Sequence, residues 1–310
     1  MEFFYIYNYE KSNSIVFFFY LISFSQEISG TIIDFDSSEK LPYANITFLK
    51  VNKGDYSKED GSFKLILPNK DLITDSLLIS FVGYQSKKIS VKSLLNNHRT
   101  IKLKKDNQVL DEVILNVKKA KYSSENKIKR DKYFKKFSPS VQYGLENAVY
   151  IENPKRRKGK VTALDFFIEK KDSDKSDLNA AYYRVSFYDI DSITNQPSKP
   201  LIKTPILIKN TNQTQKISLN LEKYNVPFKV NGVFIGIETV KPSVIESNSK
   251  STLTTPSLVM TYNDKMNTYY RYRGKKWNAR DYKLKVNRLL KKAEYLYSTL
   301  LLQLKVKYIK

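Results

Sequence analysis

The stretch YSKEDGSFKLILP, residues 56–68, admits two readings. Glu59 and Asp60 could open a metal loop, or Asp60-Gly61 could be the corner of a hairpin. Asp-Gly is a strong turn pair because both residues tolerate positive φ. A calcium loop needs carboxylates at alternate positions and a closing bidentate Glu, and here Lys58, Ser62 and Lys64 stand where such ligands belong. After the turn, Phe63, Leu65 and Leu67 alternate with Ser62, Lys64 and Ile66, the period of a half-buried strand. The hairpin-corner reading is therefore the expectation, with no metal at Asp60.

Working outward, the same period recurs. Ile28, Gly30 and Ile32 alternate with Ser29, Thr31 and Ile33; Ala44, Ile46 and Phe48 alternate with Asn45, Thr47 and Leu49. A short apolar run at 77–82 ends at Gly83-Tyr84, and Ile89, Val91, Ile101 and Leu103 close the series. Short strands at close spacing, separated by Gly, Pro, Asp and Asn, predict a small β-sandwich.

These residues also carry a resemblance. Gly30-Thr31-Ile32-Ile33-Asp34 is followed by Leu41-Pro42-Tyr43-Ala44-Asn45-Ile46 and by Glu59-Asp60-Gly61-Ser62-Phe63. Then come Ile79-Ser80-Phe81-Val82-Gly83-Tyr84 and Leu110-Asp111-Glu112-Val113-Ile114. The series resembles the carboxypeptidase-regulatory-like domain, a transthyretin-like, seven-stranded β-sandwich. It is most similar to the version that precedes the plug of TonB-dependent outer-membrane receptors. The resemblance spans residues 26–116 and implies an accessory domain, because the zinc site of carboxypeptidases lies on a separate catalytic domain that nothing here resembles. The residues after 116 are too few for a plug and a large membrane barrel.

The rest of the chain divides by composition. Residues 117–145 are polar and basic and read as a linker. Residues 146–310 carry β-signals at 160–168, 181–190, 206–209, 215–221, 233–240, 257–262, 268–273 and 300–308, with Asn231-Gly232 as a hairpin-type turn. They predict a second β-sandwich of jelly-roll type, so the fold class is mainly β. Residues 280–297 show helical spacing at Leu289, Leu290, Ala293, Leu296 and Tyr297, with a strand reading close to it. A small outer-membrane β-barrel is the structural rival for this half. Arg184, Lys209, Lys216 and the Arg271/Arg273 face argue against the uncharged outer band such a barrel needs.

Composition closes several chemistries. The chain has no cysteine and a single histidine, His98, which excludes thiolate nucleophiles, iron–sulfur clusters and Cys-based zinc sites, and leaves too few ligands for a peptidase zinc. No cofactor is expected. Neither a nucleophile elbow nor a Gly-rich phosphate loop is present. Asp172, Asp174 and Asp177 look calcium-like but lack the loop glycine, and three lysines nearby offset their charge. The net charge is +23, with fourteen Lys/Arg against four Asp/Glu in 118–160 and fourteen against two in 265–310. An anionic partner such as a polyanionic glycan or membrane head groups fits that balance. So does compositional bias, since Lys outnumbers Arg 45 to 9, and nucleic acid is not expected.

Residues 15–24, IVFFFYLISF, follow Lys11 and precede Ser23-Phe24-Ser25 and Gln26. That pattern predicts a signal peptide over residues 1–25; ten apolar residues do not span a bilayer. The expected location is therefore the periplasm, the outer-membrane surface or the outside of the cell. Tyr269, Tyr270, Tyr272 and Trp277 cluster in sequence and could form a sugar-stacking platform or pack a strand. The functional expectation is an exported, non-enzymatic binding or assembly protein with an envelope protein or glycan as partner, associating with the outer-membrane surface. The alternative is a carbohydrate-binding or carbohydrate-active protein that uses the second domain, with Tyr270, Tyr272 and Trp277 as ligand contacts.

Overall fold

Period-two alternation in the first hundred residues becomes two facing sheets. The computed structural model describes residues 26–67, 69–95, 99–106, 120–128, 136–170, 179–202, 204–209, 213–242, 253–287 and 293–310. The signal-peptide expectation at 1–25, His98, Leu110, Glu112, Val113 and the Asp172, Asp174 and Asp177 loop lie outside the described residues.

The first sandwich has seven strands: β1 (Glu27–Asp34), β2 (Asn45–Phe48), β3 (Gly54–Tyr56), β4 (Ser62–Ile66), β5 (Ser76–Ser80), β6 (Lys87–Ser90) and β7 (Arg99–Leu103). One sheet has the order β4-β1-β7, the other β3-β2-β5-β6. The alternation seen in the sequence turns Ile28, Ile32, Ile46, Phe48, Phe63, Leu65, Leu77, Ile79, Ile101 and Leu103 into one buried core. A single helical turn, α1 (Val91–Leu94), adds Val91 and Leu94 to it.

The second unit contains β8 (Asn126–Ile128), β9 (Leu145–Ile151), β10 (Gly159–Glu169), β11 (Asn179–Ala180), β12 (Tyr182–Ile190), β13 (Pro197–Pro200), β14 (Ile206–Ile208) and β15 (Gln215–Asn220). It continues with β16 (Pro227–Phe228), β17 (Val233–Val240), β18 (Thr254–Thr255), β19 (Ser257–Leu258), β20 (Met260–Asn263), β21 (Thr268–Tyr272), β22 (Asn278–Ala279), β23 (Lys283–Asn287), β24 (Ala293–Leu300) and β25 (Leu302–Tyr308). One sheet runs β15-β10-β25-β8; the facing sheet runs β13-β12-β17-β9-β21-β22, with β14 also on β12. The chain passes from sheet to sheet at β8, β9, β10 and β12, returns at β15, crosses again at β17 and ends in β25. This is a β-sandwich of two packed sheets, related to but not in the strand order of the expected jelly roll. Strands β20, β24 and β23 form a separate small sheet, and β11 pairs with β18 in another. The apolar faces of the two large sheets meet in a core that includes Val149, Phe166, Tyr183, Phe187, Ile235, Leu304 and Tyr308.

Three readings need correction. Asp60-Gly61 is a turn, with Gly61 at φ 75° and Gly61 N–H donating to the Lys58 carbonyl at 3.0 Å. It does not join two paired strands: β3 and β4 belong to opposite sheets, and β4 pairs with β1. Asp-Gly alone cannot distinguish a hairpin from a corner between sheets. Residues 280–297 do not form a helix where they are described; β23 and β24 pair antiparallel, with Leu284 opposite Leu296. Leu296 is buried and Tyr295 exposed, so local period-two contacts prevail over the four-residue coincidence of apolar positions. Finally, residues 126–128, within the expected linker, form β8 and pair with β25. A three-residue strand is too short to show a period in sequence. Further along the same stretch, Phe137 stacks on Tyr262 at 5.0 Å.

Candidate functional site at the junction of the two sandwiches

The site begins with single charges inside apolar strands. Arg184 sits within YYRVSFYDI of β12, and Glu238 within VFIGIETV of β17. The register places Arg184 opposite Glu238, Glu238 opposite Glu146 on β9, and Glu146 opposite Arg271 on β21. The result is a row Arg–Glu–Glu–Arg across four adjacent strands on one face of the sheet. Arg184, Glu238 and Glu146 are buried. A buried charge requires a partner and hydrogen bonds, and the row supplies both. Arg184 Nε donates to Glu238 Oε2 at 3.0 Å, and its Nη2 reaches the same oxygen. Arg271 Nε donates to Glu146 Oε2 at 2.6 Å, while Tyr188 O–H donates to Glu146 Oε1 at 2.6 Å.

The first sandwich is fastened to this row. Tyr56 O–H donates to Glu238 Oε1 at 3.0 Å and to the Thr239 carbonyl at 3.1 Å. Arg184 Nη1 donates to the Tyr43 carbonyl at 2.5 Å. The Arg273 guanidinium lies 4.2 Å from the Tyr56 ring centroid, in the range of a cation–π contact. Tyr43 and Tyr56 pack into the core of the second sandwich rather than that of their own. Burial pushes the Tyr56 phenol well above its usual range, against the pull of the Arg273 charge and with the help of Glu238. It therefore remains a neutral donor at every ordinary pH. Around the rim, Lys241 pairs with Asp55 at 3.1 Å and Lys209 with Glu59 at 2.5 Å.

The RGKKW turn after β21 completes the contact. Lys275 Nζ donates to the Leu49 and Val51 carbonyls at 3.1 and 3.0 Å and to Asn52 Oδ1 at 3.2 Å. Burial holds the Lys275 ammonium below its usual pKa, with Asp75 opposing. Gly274 has φ 72° and lies so close to β5 that a Cβ would stand 2.3 Å from Ser80 Oγ. A side chain there would displace the Ser80 hydroxyl and strain a left-handed backbone.

Beside this junction opens a cleft of about 470 Å³. Tyr270, Tyr272, Leu145, Gln142 and Asn278 of β22 line it from the second sandwich, Lys276 from the turn after β21, and Asn52 from the β2–β3 loop. Its size falls in the range of small-ligand pockets. A larger opening of about 720 Å³ lies over Ile128, Ile151, Leu302 and Leu304. Its Ile128 edge adjoins residues 129–135, which are outside the described residues.

The residues singled out from sequence are thus partly brought together. Tyr270 and Tyr272 share the cleft wall. Trp277 does not: it lies on the other face, 4.1 Å from the Arg271 guanidinium and 5.6 Å from the Tyr188 ring. Tyr269 packs edge-on against Phe234 in a small aromatic cluster. The four aromatic residues do not form one stacking platform, because strand alternation sends 269 and 271 to one face and 270 and 272 to the other. Asp60 Oδ1 accepts Ser62 N–H at 2.9 Å and Ser62 O–H at 2.6 Å, the local bonding of a turn. Glu59 Oε1 accepts Tyr43 O–H at 3.1 Å. Of the other signature residues, Gly30 pairs opposite Phe63. Ala44 N–H, two residues after Pro42, donates to Ser57 Oγ at 2.8 Å. Gly83 precedes Tyr84, whose O–H donates to Asp34 Oδ2 at 2.7 Å.

These positions are those of a known domain family. Residues 28–115 match the family model of the CarboxypepD_reg-like domain. The CarboxypepD_reg-like domain is thus the partner that brings Tyr43, Asn52 and Tyr56 to the junction, and it occupies the first third of the chain. No curated protein matches the chain. Among solved structures, the chain is similar to a structure of the infectious bursal disease virus Gx strain, at 8% identity and a TM-score of 0.21 over 92% of this chain and 65% of that one. A structure of the Gt strain gives 9% identity and a TM-score of 0.20 over 92% and 65%. T=1 particles derived from infectious bursal virus give 9% and 0.18 over 92% and 62%. The chain spans less than two thirds of the length of each, and at these scores the likeness informs neither fold nor function.

Proposed function

We propose that the chain is an exported, non-catalytic binding or assembly protein of the cell envelope, whose partner is taken at the junction cleft. The observation that carries this reading is the cleft itself. Two tyrosines, three amides and two lysines converge there from both sandwiches, on a junction locked by buried ion pairs. Such a wall suits adhesion to a polar, ring-bearing ligand. Turnover of a glycan would call for two facing carboxylates around the bond to be cut. The two carboxylates that lie side by side, Glu146 and Glu238, are each committed to an arginine and covered by Tyr188 and Tyr56.

Export is supported by the apolar run at 15–24 and the small-residue pair Ser23 and Ser25, and the likeness to TonB-dependent receptor domains supports an envelope setting. The second reading, a carbohydrate-active protein, is favoured by Tyr270 and Tyr272 alone. One experiment separates the two. The mature protein, immobilised, is incubated with an envelope glycan fraction, and both bound sugar and released reducing ends are measured. Retention without release is expected; release of reducing ends would overturn the non-catalytic reading. Mass spectrometry of the same preparation should find Gln26 at the N-terminus.

A further inference from the structure

The wall of the junction cleft carries a charge bias that a general binding surface would not need. Among the described residues, none that lines it is an aspartate or glutamate. Lys276 is exposed on the rim. Lys275, also on the lining, is hydrogen-bonded by neutral acceptors, with the Asp75 carboxylate acting on it from a distance. Behind each cleft tyrosine stands an arginine: the Arg280 guanidinium is 5.3 Å from the Tyr270 ring, and that of Arg273 is 5.5 Å from the Tyr272 ring. Among the described residues, Arg280 Nε and Arg273 Nη1 are buried without a hydrogen-bond partner. Four cations thus bear on one small opening, opposed in part by Asp75 near Lys275 and Asp55 near Arg273, and buried or half-buried charges are screened far less than exposed ones. Fields of one sign in a low-dielectric cleft concentrate ligands of the other sign.

The remaining groups specify more than charge. Tyr270 and Tyr272 lie two residues apart on one strand face, so their Cα atoms are about 7 Å apart along the strand. Each offers an apolar surface with a hydroxyl at its tip. Gln142, Asn278 and Asn52 add amide donors and acceptors around them. A ring with an apolar C–H face, several hydroxyls and one negative group matches this set, whereas an extended acidic peptide would leave the paired tyrosine faces without stacking partners. We infer that the cleft binds an acidic saccharide, with sugar rings against Tyr270 and Tyr272 and a carboxylate, phosphate or sulfate near Lys276. This deepens the binding reading given above and rests on it.

The test is calorimetric titration of the full chain with tetragalacturonate, with its carboxyl-reduced neutral counterpart, and with poly-aspartate of similar charge. The variants are Tyr270→Ala, Tyr270→Phe and Lys276→Glu. Their side chains lie on the cleft wall and rim, and Tyr270→Phe keeps the ring as a control for folding. Tetragalacturonate should bind, and the neutral counterpart should bind at least about tenfold more weakly. Tyr270→Ala and Lys276→Glu should each weaken the acidic sugar about tenfold, and Tyr270→Phe much less. Equal binding of the neutral sugar would overturn the acidic assignment and leave the binding reading intact. Poly-aspartate binding with the same dependence on Tyr270 would make the site one for acidic peptides and overturn the saccharide assignment. Binding that ignores all three variants would place the saccharide elsewhere. No binding of either sugar would overturn the inference, and if the immobilised protein also retained nothing from the envelope fraction, the binding reading would fall with it.

Discussion

At the scale of single residues, the turn at 60–61 and the carboxylate of Asp34 make the first sandwich what it is. Gly61 has positive φ, and a Cβ there would stand 2.7 Å from the Ile32 carbonyl. Gly61→Val should cost about 1–3 kcal/mol through backbone strain, while Asp60→Asn should cost little, because an amide oxygen still accepts from Ser62. Urea melts of both variants check this; a larger loss for Asp60→Asn would point to a role for the charge that the turn does not have. Asp34 lies behind the turn and accepts from Asp36 N–H and Ser37 N–H at 2.8 Å each, from Tyr84 O–H, and from Lys105 Nζ at 3.0 Å. The Ser37 amide holds its carboxyl far below the ordinary range against the cost of burial, with Tyr84 and Lys105 adding to the effect. A depressed folded pKa stabilises fully above the unfolded value, about 4, and that contribution drains away as pH falls through the folded value. The urea midpoint of the wild type should therefore decline below about pH 4, and Asp34→Asn should flatten that part of the curve. These residues were legible in sequence because each uses one side chain in local geometry: Asp-Gly for a turn, Gly83-Tyr84 after a strand. The bond from Tyr84 to Asp34, fifty residues apart, was not, since no local pattern encodes it.

At the scale of elements, strand period was the reliable signal and helical spacing was not. Strand β17, VFIGIETV, is buried along its whole length, and its one acid marks the junction. A lone acid in such a strand, with a lone arginine in β12, is a sequence signal for a cross-strand ion pair. What sequence could not supply is the register that aligns Arg184, Glu238, Glu146 and Arg271. The same logic governs β21, where alternation splits the tyrosines by task. Tyr269 is 7% exposed and packs on Phe234, so Tyr269→Ala should cost about 3–5 kcal/mol in stability. Tyr270 lines the open cleft, and Tyr270→Ala should cost below about 1 kcal/mol. Thermal melts of the pair decide it: similar losses would mean that the two rings share one environment.

At the scale of the whole molecule, the two sandwiches are joined through their interiors rather than tethered. Tyr43 and Tyr56 leave one core to enter the other, and Glu238 ties Tyr56 to Arg184. Removing one member of a buried pair strands the other charge, so Glu238→Ala should destabilise the chain by about 3–5 kcal/mol. Tyr56→Phe, which removes only the hydroxyl, should cost about 1–2 kcal/mol. A double-mutant cycle between the two should show coupling; additive losses would mean that Tyr56 does not rely on Glu238. The sequence signalled two β units and a family for the first, but divided them by a linker. It missed their union because the residues that make it, Tyr43, Tyr56, Arg184 and Glu238, are ordinary strand residues until the two sheets face each other.

The central claim is that both sandwiches build one ligand site at their junction. Amide hydrogen exchange of the full chain, with and without saturating tetragalacturonate, tests it most directly. The account predicts slower exchange together in the β2–β3 loop around Asn52, in residues 141–145 and in β21 with the turn that follows it. Protection confined to one sandwich, or centred on the opening over Ile128 and Leu304, would contradict it.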